Sequence, residues 1–229
     1  MSQKKQYNIR CPKCAQEQAV ALFESVNVTE EPALREALML NRLNAVTCAS
    51  CAFAFQVHKP LLYHDVARGF MVYWLPVPAG AEEAGERQFA ELLLQLAAQQ
   101  PAGQALPAMY LVFTRTELVE RIFLLEAGLD ERLIEYVKHL MYLNNQGKLD
   151  PARKALLFDA QDSTPENLCF VVQDVTTRKM EAVLNYSRKA YDALAEMFRA
   201  EEKMRMLREL FPGPQVSARA LLCRQPDES

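Results

Sequence analysis

The sequence predicts an α+β protein, and three observations carry that expectation. Its first third is dominated by extended, alternating runs, its middle by amphipathic helical stripes, and its last third by a hairpin followed by helix. Half of the 229 residues are hydrophobic and 24% are charged, which excludes a disordered or fibrous chain and supplies enough apolar surface for a full core.

In the first third, Val20, Leu22, Val26 and Val28 fall on one face of an extended run, with Ala19, Ala21 and Phe23 on the other. Glu30-Glu31-Pro32 opens a short helix that places Leu34, Ala37 and Leu38 at helical spacing. Phe53, Phe55 and Val57 alternate with Ala54, Gln56 and His58 as a half-buried strand until Pro60 interrupts it. Phe70 to Leu75 is a further β-prone run. These pieces predict a small antiparallel sheet.

Pro76-Val77-Pro78-Ala79-Gly80 reads as a loop and divides the chain into residues 1–78 and 79–229, with packing of the second part on the first as one unit the alternative. A helix over Glu82 to Gln99 lines up Phe89, Leu92, Leu93 and Leu96, and Pro101-Ala102-Gly103 ends it. Met109 to Phe113 is a strand. Residues 115–147 form two helices parted near Gly128, the second capped by Asp130 and burying Leu133, Ile134, Val137, Leu140 and Met141. Ala155–Phe158 and Leu168–Val172 flank a polar turn as a hairpin, and Met180–Tyr186 adds a third strand. Ser187 then caps one long helix through Tyr191, Leu194, Phe198, Leu207 and Leu210, stopped by Pro212-Gly213-Pro214 ahead of a loosely held tail.

Charge is uneven. Residues 1–75 carry 8 basic and 6 acidic side chains, residues 76–175 carry 8 and 15, and residues 176–229 carry 10 and 8. The overall charge of −3 argues against a protein that coats nucleic acid, which needs clustered Lys and Arg. The amino-terminal residues show no apolar signal segment, and no apolar run reaches spanning length, so the expected compartment is the cytoplasm, away from the membrane.

Chemistry concentrates in two cysteine pairs, Cys11-Pro12-Lys13-Cys14 and Cys48-Ala49-Ser50-Cys51. A C-x-x-C on a tight turn converges two thiolates, and two such turns supply a tetrahedral four-sulfur site. Soft thiolates in a closed arrangement suit structural Zn2+, with Cys11, Cys14, Cys48 and Cys51 as ligands; a catalytic metal and redox chemistry are the lesser alternatives, the latter because two pairs are present and neither opens a clear βαβ helix. In a reducing compartment paired cysteines bind metal more often than they form disulfides. The 33 residues between the pairs exceed the roughly 15–20 of a compact ribbon, and the strand and short helix between them account for the excess.

These residues resemble the bacterial CpXC domain: Cys-Pro-Lys-Cys near the start, an extended strand, a short helix, and a second C-x-x-C leading to Pro60-Leu61-Leu62-Tyr63-His64-Asp65. The resemblance covers about residues 7–75 and implies the same four metal ligands without implying an activity. Ala49 stands where the second pair of that family is expected to carry proline. Ala15 and Ala52 stand where such turns often place glycine.

Other candidates are weighed against plainer roles. His58, His64 and Asp65 could support acid–base or metal chemistry, but Pro60 separates the two imidazoles and structural roles are favoured. His139 lies beside core positions of its helix, Cys169 alternates with Val171 as a buried strand thiol, and Cys223 falls in the tail. Asp159, Asp162, Glu166 and Asp174 surround the hairpin as turn residues. The interspersed charges of the last helix predict i,i+4 pairing on a solvated face. No phosphate-cradling glycine loop and no nucleophile elbow is present. The leading expectation is a non-enzymatic adaptor whose metal-rigidified β domain presents a surface to another protein. A nucleic-acid-binding zinc ribbon and an enzyme centred on His58, His64 and Asp65 are the alternatives.

Overall fold

The computed structural model describes residues 1–99 and 106–224, which divide into two units, Met1–Val119 and Glu120–Ser229. The first unit includes the helix and the strand that follow residue 78. The α+β class holds in both units.

The first unit is built on a five-stranded sheet. Its strands are β1 (Gln3–Arg10), β2 (Glu17–Asn27), β5 (Leu61–Asp65), β6 (Phe70–Trp74) and β7 (Ala108–Val112), adjacent in that order. Between β2 and β5 come α1 (Pro32–Met39) and a two-stranded hairpin, β3 (Ala45–Thr47) with β4 (Ala54–Gln56). The pairs β1·β2 and β5·β6 are antiparallel, the sense expected for the sheet, though neither β1 nor β5 is among the strands expected from the sequence. The pairs β2·β5 and β6·β7 are parallel, because each has a crossover, through α1 and the β3–β4 hairpin or through α2 (Glu82–Gln99).

Register assigns the faces. Val26, Tyr63, Val72 and Trp74 lie on one side of the sheet and are all buried. On the other side α2 covers β6 and β7: Phe89 stacks on Tyr73 at 6.0 Å and joins Leu75, Leu111 and Phe113 in one apolar cluster. Gly85 lets the helix approach, since a Cβ there would stand 2.7 Å from the Phe113 ring. The helix has the expected bounds; its expected stop at Pro101-Ala102-Gly103 lies outside the described residues. The expected Phe53–Val57 strand is shorter, confined to Ala54–Gln56, with Phe53 40% exposed.

In the second unit a three-stranded antiparallel meander, β8 (Lys154–Asp159), β9 (Asn167–Asp174) and β10 (Met180–Ser187), lies in the order β10-β9-β8. Helix α3 (Arg115–Glu126) runs across the division between the units, and α4 (Glu131–Asn144) follows. Asp130 caps α4 as expected, accepting from the Leu133 N–H at 3.0 Å. One core gathers Leu133, Ile134, Val137, Phe158, Phe170, Tyr191, Phe198 and Leu207.

The single long helix expected after Ser187 is two, α5 (Arg188–Met197) and α6 (Glu201–Leu210). Phase explains the break. Leu207 follows Phe198 by nine residues, two and a half turns, so an unbroken helix would hold the two on opposite sides. Both are buried in the same core, and the chain bends at Phe198–Ala200 to achieve it. The expected tail also folds in part: α7 (Ala218–Arg224) packs on α4, with Cys223 exposed on it.

Candidate metal centre

The two C-x-x-C segments form the tips of two hairpins, β1–β2 and β3–β4, and the turns repeat one another bond for bond. Cys11 N–H donates to the Gln16 carbonyl and Ala15 N–H to the Cys11 carbonyl, each at 2.9 Å. In the second turn, Cys48 N–H donates to Phe53 and Ala52 N–H to Cys48, again at 2.9 Å. Ala15 and Ala52 both take left-handed backbone, with φ of 60° and 55°. That is the conformation for which such a turn would otherwise use glycine.

Polar side chains hold the hairpins together. Gln18 of β2 donates to the Thr47 carbonyl at 3.3 Å and accepts from the Ala49 N–H at 2.9 Å. Asn44 accepts from the Phe23 N–H at 2.7 Å and donates to the Phe23 carbonyl at 3.1 Å.

The result is a converging set of sulfurs. Cys11 and Cys51 Sγ are 3.7 Å apart, Cys14 and Cys48 Sγ 3.6 Å, and all four lie within 4.8 Å of one another. With metal–sulfur bonds of about 2.3 Å, the edges of a tetrahedron are about 3.8 Å, so the four fit around one ion. Among the described residues this is the one group of three or more Cys, His, Asp or Glu so placed. Cys11 and Cys48 are buried, Cys51 is half-buried and Cys14 is exposed.

Backbone polarity favours charge here. The Lys13 N–H lies 3.4 Å from Cys11 Sγ. Backbone N–H groups of Cys51 and Ser50 lower the Cys48 thiol to about 6. At Cys51 the Phe53 N–H favours the thiolate, but burial and the sulfurs of Cys14, Cys11 and Cys48 outweigh it and push the thiol up to about 12. Cys48 and Cys51 are therefore driven in opposite directions, one thiol releasing its proton readily and the other resisting the loss. A divalent cation removes that resistance.

The CpXC protein family matches residues 9–138, more than half of the chain and inclusive of both cysteine pairs. This chain belongs to the CpXC family. No curated protein matches it, and no solved structure does. Both cysteine pairs lie within the matched residues, and the second turn, with Ala49 after Cys48, keeps the backbone pattern of the first. Among the described residues no helix is long and apolar enough to cross a membrane.

The histidine candidates do not assemble. His58 is exposed in the link between β4 and β5, its ring 5.6 Å from Trp74. His64 and Asp65 are neighbours on β5 and so face opposite sides of the sheet. Burial lowers the pKa of His64. Asp65 closes the β5–β6 turn, accepting from the Arg68 N–H at 3.1 Å, the Arg68 guanidinium at 2.7 Å and the Thr29 hydroxyl at 3.3 Å. Cys169 is buried in β9, where burial raises its pKa. Asp159 and Asp174 serve as turn acceptors. Asp174 takes the Thr177 N–H at 2.8 Å and Lys154 Nζ at 2.9 Å, which hold its carboxyl below the usual range.

A buried ionic network in the second unit is the main polar feature that pattern reading misses. Lys138 Nζ lies 2.5 Å from Glu120 and 2.7 Å from Glu135, and Arg121 lies 2.6 Å from Glu131, every side chain at most 9% exposed. Glu120 also accepts the Phe158 N–H at 2.6 Å, Glu135 accepts the Ala218 N–H at 2.8 Å, and Arg121 donates to the Val216 carbonyl at 3.2 Å. The network pins β8 and the start of α7 to α3 and α4. Its signal in sequence is charge at helix positions that the apolar stripe of α4 claims for the core, as at Lys138 beside Val137.

Proposed function

We propose that the chain is a zinc-stapled adaptor, in which the ion has a structural role and the β hairpins it joins form a surface for another protein. One observation carries this reading: four sulfurs close around a single point and leave no coordination position for a substrate. Cys11, Cys14, Cys48 and Cys51 would hold the ion as thiolates, and the ion would lock the turns of both hairpins at once. The dispersal of His58, His64 and Asp65 speaks against an acid–base centre at those residues.

Metal analysis of the purified chain tests the staple. One zinc per chain is expected, lost together with the native fold of the first unit on chelation, as structural zinc contributes about 10–16 kcal/mol in isolated finger peptides. Cys48→Ser, which removes a buried ligand, should abolish stoichiometric metal. A chain that folds identically with and without chelator would overturn the reading. Affinity capture on the metal-loaded chain, compared with Cys48→Ser, tests the adaptor role: reproducible partners lost in the variant are expected, and none would count against it.

A further inference from the structure

Among the described residues strand β1 is the edge of the first sheet, with β2 as its one strand neighbour. Over eight residues, Gln3, Lys4, Lys5, Gln6, Asn8 and Arg10 are exposed, and only Tyr7 and Ile9 are half-buried. Every second residue of such a strand turns its N–H and C=O away from its neighbour, which leaves a ready row of donors and acceptors. The second unit treats an edge differently. There the outward Leu156 N–H of β8 donates to the Tyr142 hydroxyl at 3.1 Å, the Phe158 N–H donates to Glu120, and the Lys154 carbonyl accepts from Tyr142 at 3.0 Å.

Charge says what the bare edge would accept. Residues 1–16 contain Lys4, Lys5, Arg10 and Lys13 and no acid. Alternation puts Lys5 on one face of the sheet and Lys4 and Arg10 on the other, so positive charge flanks the open backbone on both sides. The nearest acids have partners: Glu17 meets Arg10 at 3.4 Å, and Glu24 is held by the Tyr7 hydroxyl and by Lys59 at 3.8 Å. A second copy of β1 is a poor occupant, because self-pairing sets three cations from each strand along one seam. A nucleic-acid backbone fits less well than a peptide, since it cannot satisfy a row that alternates donors with acceptors.

We infer that β1 is the docking edge of this protein, and that its partner is an extended acidic segment of another protein that adds to the sheet as a sixth, β1-flanking strand. Backbone hydrogen bonds supply the affinity, and Lys4, Lys5 and Arg10 select for carboxylates. The inference rests on the metal reading in one respect: Arg10 is followed directly by Cys11, so the ion fixes the end of the docking strand.

The test uses the full metal-loaded chain and a fluorescent synthetic peptide of β1's length, rich in Glu, Val and Thr. Its comparisons are a Lys-for-Glu version, a backbone N-methylated version and a single-stranded oligonucleotide, with zinc content measured on every sample. The acidic peptide should bind and slow amide exchange in residues 3–10. Binding should weaken about tenfold in Lys4→Glu/Lys5→Glu with zinc retained, and should be lost on N-methylation. Equal binding of the Lys-for-Glu or N-methylated peptide, protection away from β1, tighter binding of the oligonucleotide, or β1-dependent dimerisation would overturn it. A zinc-loaded chain that ignores the acidic peptide sinks the docking edge and leaves the metal centre standing. A zinc-free chain that still pairs with the peptide sinks the metal reading and sustains the docking edge.

Discussion

Ala15 and Ala52 occupy left-handed backbone in the two metal turns, and replacing each by glycine should stabilise the protein. A side chain at that φ costs about 1–2 kcal/mol. Glycine adopts it freely but gives back about 0.5–1 kcal/mol through the greater freedom of the unfolded chain. Both alanines are exposed, so neither methyl contributes burial that the change would forfeit. The net gain is about 0.5–1 kcal/mol per site, a rise of about 1–4 °C in the melting temperature of the metal-loaded chain. With the proposed metal site built from these turns, affinity for zinc should tighten about two- to fivefold in competition with a chelator. Ala19→Gly is the control: Ala19 is exposed on β2, where glycine relieves nothing and should cost about 0.5–1 kcal/mol. If Ala15→Gly and Ala52→Gly destabilise as Ala19→Gly does, the left-handed turns are not those of the folded protein, and the assignment of their strain fails.

Three further outcomes follow from the packing and the buried charges. Lys138→Met leaves Glu120 and Glu135 buried without their cation and should cost about 3–5 kcal/mol in urea unfolding; a loss below about 1 kcal/mol would mean that the carboxylates reach solvent. Burial raises the Glu131 carboxyl to about 7 against the pull of Arg121 and Arg132. The unfolded chain then releases this proton near pH 4.5 while the folded chain keeps it, so stability falls by about 3 kcal/mol as pH rises from about 4.5 to 7 and levels off above. Denaturation midpoints across that range should show the fall in the wild type and a shallower one in Glu131→Gln; parallel curves would refute it. Gly85→Ala should destabilise by about 1–3 kcal/mol despite the better helix propensity of alanine, because the new methyl meets the buried Phe113 ring, and an unchanged melting curve would show that the ring yields freely.

Much of this fold was legible from pattern, and the exceptions share a cause. Helix α2 and the capped α4 declare themselves by stripe and by Asp130, and the β8–β10 meander by alternation around polar turns. Strand β1 does not, because an edge strand exposed on both faces has no apolar face to alternate. Strand β5 hides because Leu61, Tyr63 and Asp65 share its buried face, and the charge on Asp65 masks the period. The α5–α6 break lies in the phase between Phe198 and Leu207, which a list of apolar positions obscures. At the metal centre the ligands follow from spacing alone. What spacing does not supply is the side-by-side placement of the hairpins, which depends on Gln18 and Asn44, polar residues with no periodic signature.

The family match stops at Lys138, partway along α4 and in the middle of the buried ionic network. An expression fragment trimmed to residues 9–138 would carry Glu120, Arg121, Glu131 and Glu135 into solution without the Phe158 and Ala218 amides or the Val216 carbonyl. Such a piece should be prone to unravel or precipitate from its carboxyl-terminal end even with zinc in place. Work on the metal turns in isolation is therefore better served by cutting ahead of Glu120 than by following the limits of the family match.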